Sequence, residues 1–150
     1  MHFSLVDRIV SVDPDSAVTL KNVSMAEEYL QDHFATFPVL PGVMMVESLV
    51  QAARLVLEHW DRDLDHPPRR WVLGKIRALK YGTFVRPGDT LRVEVTRAKP
   101  GEDGSHEFKA QATLLGPGSD ANPHPVPAVA VAGRLSLRPL RFPEMTGNPG

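Results

Sequence analysis

Residues 41–60 read PGVMMVESLVQAARLVLEHW, and the spacing of their apolar side chains sets the architecture of the whole chain. Val43, Met44, Val46, Val50, Ala53, Val56, Leu57 and Trp60 recur at helical intervals. Met45, Leu49 and Leu55 place further apolar groups on the remaining faces. A helix that is apolar nearly all round has to be buried on most sides. Pro41 suits its first turn, where a backbone amide has no intrahelical acceptor to lose.

The rest of the chain supplies what such a helix can be buried in. Residues 5–12 and 16–23 are rich in β-branched and apolar side chains. Asp13-Pro14-Asp15 between them makes a hairpin. Ser24 and Glu27 have the spacing of a capping box for one short helical turn. A loop follows from Asp32 to the helix. Beyond the helix, residues 61–70 form a polar, proline-containing linker. Strand-like runs then occupy 71–81, 89–98, 106–115 and 128–137, separated by proline- and glycine-marked turns. The stretch 116–127 is too dense in proline and glycine to continue a strand. The order is two strands, one buried helix and four strands, an α+β domain with one antiparallel sheet of about six strands packed on a central helix. The domain is expected over 1–138, with 139–150 as a partly disordered tail.

Composition narrows the function. The chain has 150 residues, 17 Lys+Arg against 18 Asp+Glu, and no cysteine. That balance does not suit a nucleic-acid binder, and thiolate chemistry is excluded. No apolar run approaches the ~20 residues of a membrane span, and residues 1–8 lack the pattern of a signal peptide. A cytoplasmic location is the expectation. No pair of histidines has zinc-site spacing, so no metal is expected. The charge is uneven along the chain: residues 69–99 hold nine basic side chains and only Asp89 and Glu94 as acids. These are either outward faces of strands or a basic surface that steers an acidic partner.

Three residues stand out chemically. Glu47 lies among Val43, Met44 and Val50 on the apolar helix, where a carboxylate is costly unless paired or protonated. Burial there would favour the protonated acid. Gln51, one turn on, can hydrogen-bond it and hold its rotamer. The alternative is a glutamate at the edge of the stripe, reaching water. His33 stands in the loop with Phe34 and is a candidate general base, although a loop histidine is more often a plain surface residue. Gly42 opens the helix, where free amides and a partial positive charge can polarise a thioester carbonyl; the bland reading is a turn into the helix.

Together, Asp32-His33-Phe34-Ala35-Thr36-Phe37-Pro38-Val39-Leu40-Pro41-Gly42 and the following Val43-Met44-Met45-Val46-Glu47-Ser48-Leu49-Val50-Gln51-Ala52-Ala53 resemble the signature of the FabZ-type 3-hydroxyacyl-acyl-carrier-protein dehydratases, which have the hot-dog fold. Leu5-Val6-Asp7-Arg8, Leu20-Lys21-Asn22-Val23 and Arg86-Pro87-Gly88-Asp89 agree in the same order. The resemblance covers roughly residues 4–115 and resumes weakly at 128–138. It implies a cofactor-free lyase. His33 would take the C2 proton of a 3-hydroxyacyl thioester, Glu47 would protonate the departing hydroxyl, and Gln51 would orient Glu47. The Gly42 amide would bind the thioester carbonyl, the Val39 carbonyl would hold the His33 ring, and Phe34 would line the substrate site. It further implies an acidic acyl carrier protein with a phosphopantetheine-linked substrate as partner. It also implies a homodimer in which His33 and Glu47 face each other across the interface, with a trimer of dimers left open.

The sequence departs from the family at Asp32, Ala35 and Thr36, where glycine and Pro-Gly are usual. It also enters at Leu5-Val6-Asp7-Arg8 without the usual helical lead, which affects acyl-chain-length choice. Two other readings therefore stay open. One is a hot-dog thioesterase or coenzyme-A-linked hydratase, with Glu47 as the base for water. The other is a non-catalytic acyl-binding subunit.

Overall fold

A computed structural model describes residues 3–115 and 128–141. The insert at 116–127 and all of the expected tail beyond Arg141 lie outside the described residues.

Six strands form one antiparallel sheet: β1 (Arg8–Val12), β2 (Ser16–Asn22), β3 (Trp71–Tyr81), β4 (Thr90–Pro100), β5 (His106–Leu115) and β6 (Val129–Pro139). Their order across the sheet is β1-β2-β4-β5-β6-β3. The helix α1 (Gly42–Asp61) lies against the inner face. This is the hot-dog arrangement expected from the sequence. Alternation explains it strand by strand. Leu91, Val93 and Val95 of β4 point inward with Phe108, Ala110 and Ala112 of β5, and meet Leu49, Ala53, Val56 and Leu57 of α1. Ser48, a polar residue buried on α1, donates its hydroxyl to the Met44 carbonyl at 3.0 Å, so its burial leaves no unmet donor.

Two boundaries differ from expectation. The first short turn is a 3-10 helix at Glu28–Leu30, later than the capping box suggests. Glu27 still accepts from the Ser24 amide at 2.8 Å. It is drawn away from simple capping by buried Lys21, whose Nζ is 2.8 Å from its carboxylate. The sheet also runs through Pro139, and the Leu140 amide donates to the Arg70 carbonyl at 2.7 Å.

β3 is unlike the other long strands. It is an edge, paired only with β6, and its middle is exposed on both faces from Gly74 to Ala78. Such an edge offers unpaired amides and carbonyls to another strand. None of the helices described is long and apolar enough to cross a membrane.

The end of α1 carries a buried histidine. His106 is only 3 % exposed and sits edge-on to Trp60 and Trp71, with ring centroids 4.7 and 5.3 Å away. Its Nδ1 has no hydrogen-bond partner among the described residues. Burial, and then the Arg97 and Arg69 guanidiniums, push its pKa below the usual histidine value, with Asp61 opposing. The folded state therefore binds fewer protons than the unfolded one once pH falls below about 6.5. Full stability is expected above that value, with a loss of up to ~1.4 kcal/mol per pH unit down to the folded pKa. Urea midpoints measured from pH 7.5 to 5.5 should fall for the wild type and stay flatter for His106→Phe. Equal slopes would show that His106 contributes nothing to the acid sensitivity.

Candidate active site

The loop before α1 is built to hold His33. The Val39 amide donates to the His33 carbonyl at 2.9 Å, and Phe34 and Phe37 exchange two backbone hydrogen bonds of 3.1 Å. The Leu40 amide then donates to Val85 at 2.8 Å, fastening the loop to the turn before β4. His33 is half-buried, its peptide to Phe34 is cis, and the two rings stack at 4.3 Å. Its Nδ1 lies 2.9 Å from the Val39 carbonyl oxygen. A carbonyl only accepts, so Nδ1 carries the proton and Nε2 is left as the basic nitrogen of the neutral ring. Asp32 is exposed and makes no ion pair with His33 among the described residues, so its charge is left to solvent.

Gly42 starts α1. The Met44 and Met45 amides turn back to the Pro41 carbonyl at 2.9 and 3.2 Å, and the Gly42 and Val43 amides have no intrahelical acceptor. A Cβ on Gly42 would stand 2.7 Å from the Tyr81 ring. The tip of the exposed Tyr81 side chain thus rests against Gly42 and would have to shift for a larger residue, which makes Tyr81 a neighbour of that amide. Sequence reasoning missed Tyr81, because only the sheet topology brings residue 81 to residue 42.

Glu47 requires a correction. It is not sealed in the core: its side chain is 38 % exposed, with Arg54 Nη1 3.6 Å from Oε1. It lies at the edge of the apolar stripe, the alternative of the two sequence readings. Gln51 does what its spacing suggested, donating Nε2 to Glu47 Oε1 at 3.2 Å. Its amide is itself clamped by the N-terminal segment, accepting from the Leu5 amide and donating to the Phe3 carbonyl, both at 2.8 Å.

His33 and Glu47 do not bond to each other within one chain: among the described residues no hydrogen bond or ion pair links them. Around them lies exposed apolar surface: Phe34, Phe37, Val43 (72 % exposed), Tyr81 and Phe84. Phe37 meets Phe84 edge-on at 5.8 Å, with the Arg86 guanidinium 5.4 Å from its centroid. A clustered apolar surface of this kind marks a binding site. No group of three or more potential metal ligands occurs among the described residues.

The basic excess of 69–99 is partly consumed internally. Arg69 approaches Asp61, Arg77 pairs with Glu107, Arg92 with Glu94 and Arg97 with Asp15. Arg70, Lys75, Lys80, Arg86 and Lys99 make no ion pair among the described residues, while Arg134 of β6 shares Glu107 with Arg77.

Comparison with known proteins agrees with this geometry. Residues 1–119 match the FabA-like domain. The 3-hydroxyacyl-[acyl-carrier-protein] dehydratase FabZ of Polynucleobacter asymbioticus is 37% identical over 115 residues, 76% of this chain and 74% of that protein. The FabZ of Oenococcus oeni is 40% identical over 113 residues, 75% and 78% of the two chains. Among solved structures, the dehydratase heterocomplex ApeI:P of Xenorhabdus doucetiae superposes with a TM-score of 0.70 at 17% identity, covering 92% of this chain and 84% of that one.

Proposed function

The chain belongs to the FabA-like family, and we propose that it converts 3-hydroxyacyl thioesters on an acyl carrier protein to trans-2-enoyl thioesters in fatty-acid or related lipid synthesis, in the cytoplasm. The observation that carries this reading is the 2.9 Å contact of His33 Nδ1 with the Val39 carbonyl oxygen, which assigns the ring proton to Nδ1 and leaves Nε2 to accept one.

The chemistry follows from the atoms available. His33 Nε2 removes the C2 proton, and the C2–H electron pair moves toward the thioester carbonyl. The Gly42 amide, at a helix N-terminus, stabilises the developing oxyanion. The pair then forms the C2–C3 double bond as the C3–O bond breaks, and Glu47 supplies the proton that makes the departing hydroxyl water. Phe34 and the neighbouring aromatic side chains give the acyl group an apolar wall. In this reading His33 of one copy faces Glu47 of a second, and the free, exposed edge of β3 is where the second copy would pair. The basic side chains of 69–99 that make no ion pair among the described residues, Arg70, Lys75, Lys80, Arg86 and Lys99, suit an acidic carrier protein by charge.

Incubation with crotonyl-carrier protein and water is the test, since dehydratases run in both directions. The expected product is the 3-hydroxybutyryl thioester, 18 mass units heavier by the water added, with no free thiol. Thiol release without hydration would instead establish a thioesterase. An unchanged substrate would favour a non-catalytic subunit.

A further inference from the structure

Arg54 lies two helical turns beyond Glu47 on α1 and reaches back to it. Its Nε donates to the Trp71 carbonyl, at the start of β3, at 3.0 Å. Its Nη1 is 3.6 Å from Glu47 Oε1. Glu58, four residues on, is the nearer acid by helical spacing. It is exposed, and no ion pair joins it to Arg54 among the described residues. The Trp71 carbonyl accounts for the choice: holding Nε there turns the guanidinium toward the N-terminal end of the helix, the way helical side chains lean.

Gln51 arrives at the same carboxylate oxygen. With its own Oε1 taken by the Leu5 amide and one Nε2 hydrogen given to Phe3, the other goes to Glu47 Oε1 at 3.2 Å. Glu47 Oε1 thus faces two donors, and Oε2 faces none among the described residues. The terminal torsion of a glutamate is broad and nearly two-fold, so the side chain alone does not distinguish its oxygens. The surroundings do.

We propose that Arg54 is a positioning residue for the dehydration: with Gln51 it pins Glu47 Oε1 and leaves Oε2 as the oxygen that carries and delivers the proton. The Oε2–H bond breaks as the new O–H bond of the departing water forms, and the carboxylate left behind keeps Oε1 against Arg54. This rests on the acid role of Glu47 proposed above.

The test is steady-state turnover of carrier-bound substrate by Arg54→Ala, in the wild-type and Glu47→Gln backgrounds. In the slow background, enzyme is used at substrate concentration so that residual turnover is followed. In the wild-type background kcat should fall roughly tenfold, as expected for a misplaced catalytic group, with KM within about twofold. In the Glu47→Gln background the same change should cost almost nothing, because the atom being positioned is gone. If Arg54→Ala does not fold, Arg54→Met keeps the aliphatic stem and takes its place. Wild-type kcat, a loss confined to KM, or equal losses in both backgrounds would overturn the positioning role. A fully active Glu47→Gln would overturn the acid role, a result separable from the Arg54 outcome.

Discussion

His33→Ala and Glu47→Gln are each expected to lower kcat for dehydration by about 10²- to 10⁴-fold, the usual contribution of a positioned acid or base. Neither change should unfold the protein. His33 is half-buried in a loop whose backbone closes on itself through the Val39–His33 and Phe34–Phe37 hydrogen bonds. Losing the imidazole frees the Val39 carbonyl and one face of the exposed Phe34 ring. Glu47 is more than a third exposed, so a neutral amide there removes a weak, solvent-screened ion pair with Arg54. The loss should therefore appear in turnover and not in the urea midpoint. KM should change little if both groups act mainly in the transition state. Hydration of crotonyl-carrier protein, read as product formed per enzyme, is the measurement. Full activity in either variant would mean that the assigned group is not the acid or base.

Much of this arrangement is legible in the sequence. The helix is, because a stripe recurring every three to four residues admits few other conformations. The long strands are, because inward and outward side chains alternate along β2 and β4. The Gln51–Glu47 contact is, because four residues is one turn. Arg54 belongs to the same class: seven residues is two turns, which returns it to the face of Glu47. What periodicity cannot supply is anything joined across the sheet. The approach of Tyr81 to Gly42 depends on β3 packing beside α1, and the pairing of Arg77 and Arg134 with Glu107 depends on three strands lying in register. The exposure of β3 is hidden for a related reason. Trp71-Val72-Leu73 and Ile76 read as an ordinary strand, and only its place at the edge leaves it uncovered.

That uncovered edge leads to the second large effect. If two copies pair through β3 and each active site takes His33 from one chain and Glu47 from the other, mixing two dead variants restores activity. In a dimer of His33→Ala with Glu47→Gln, one site contains both substitutions. The other joins the intact His33 of the second chain to the intact Glu47 of the first. After unfolding and refolding an equal mixture, half the dimers should be mixed and half their sites intact, so about a quarter of wild-type activity should return. Each variant refolded alone should stay at its residual level. A site built within one chain gives the opposite result, because every site then carries one substitution or the other, however the chains associate. The experiment needs exchange of chains, which a size-tagged copy of one variant and native mass measurement establish. Full exchange with no recovery would mean that each site takes both His33 and Glu47 from one chain and would leave the β3 edge without a catalytic reason to be paired. Recovery near a quarter would explain why the base and the acid do not bond to each other within one chain.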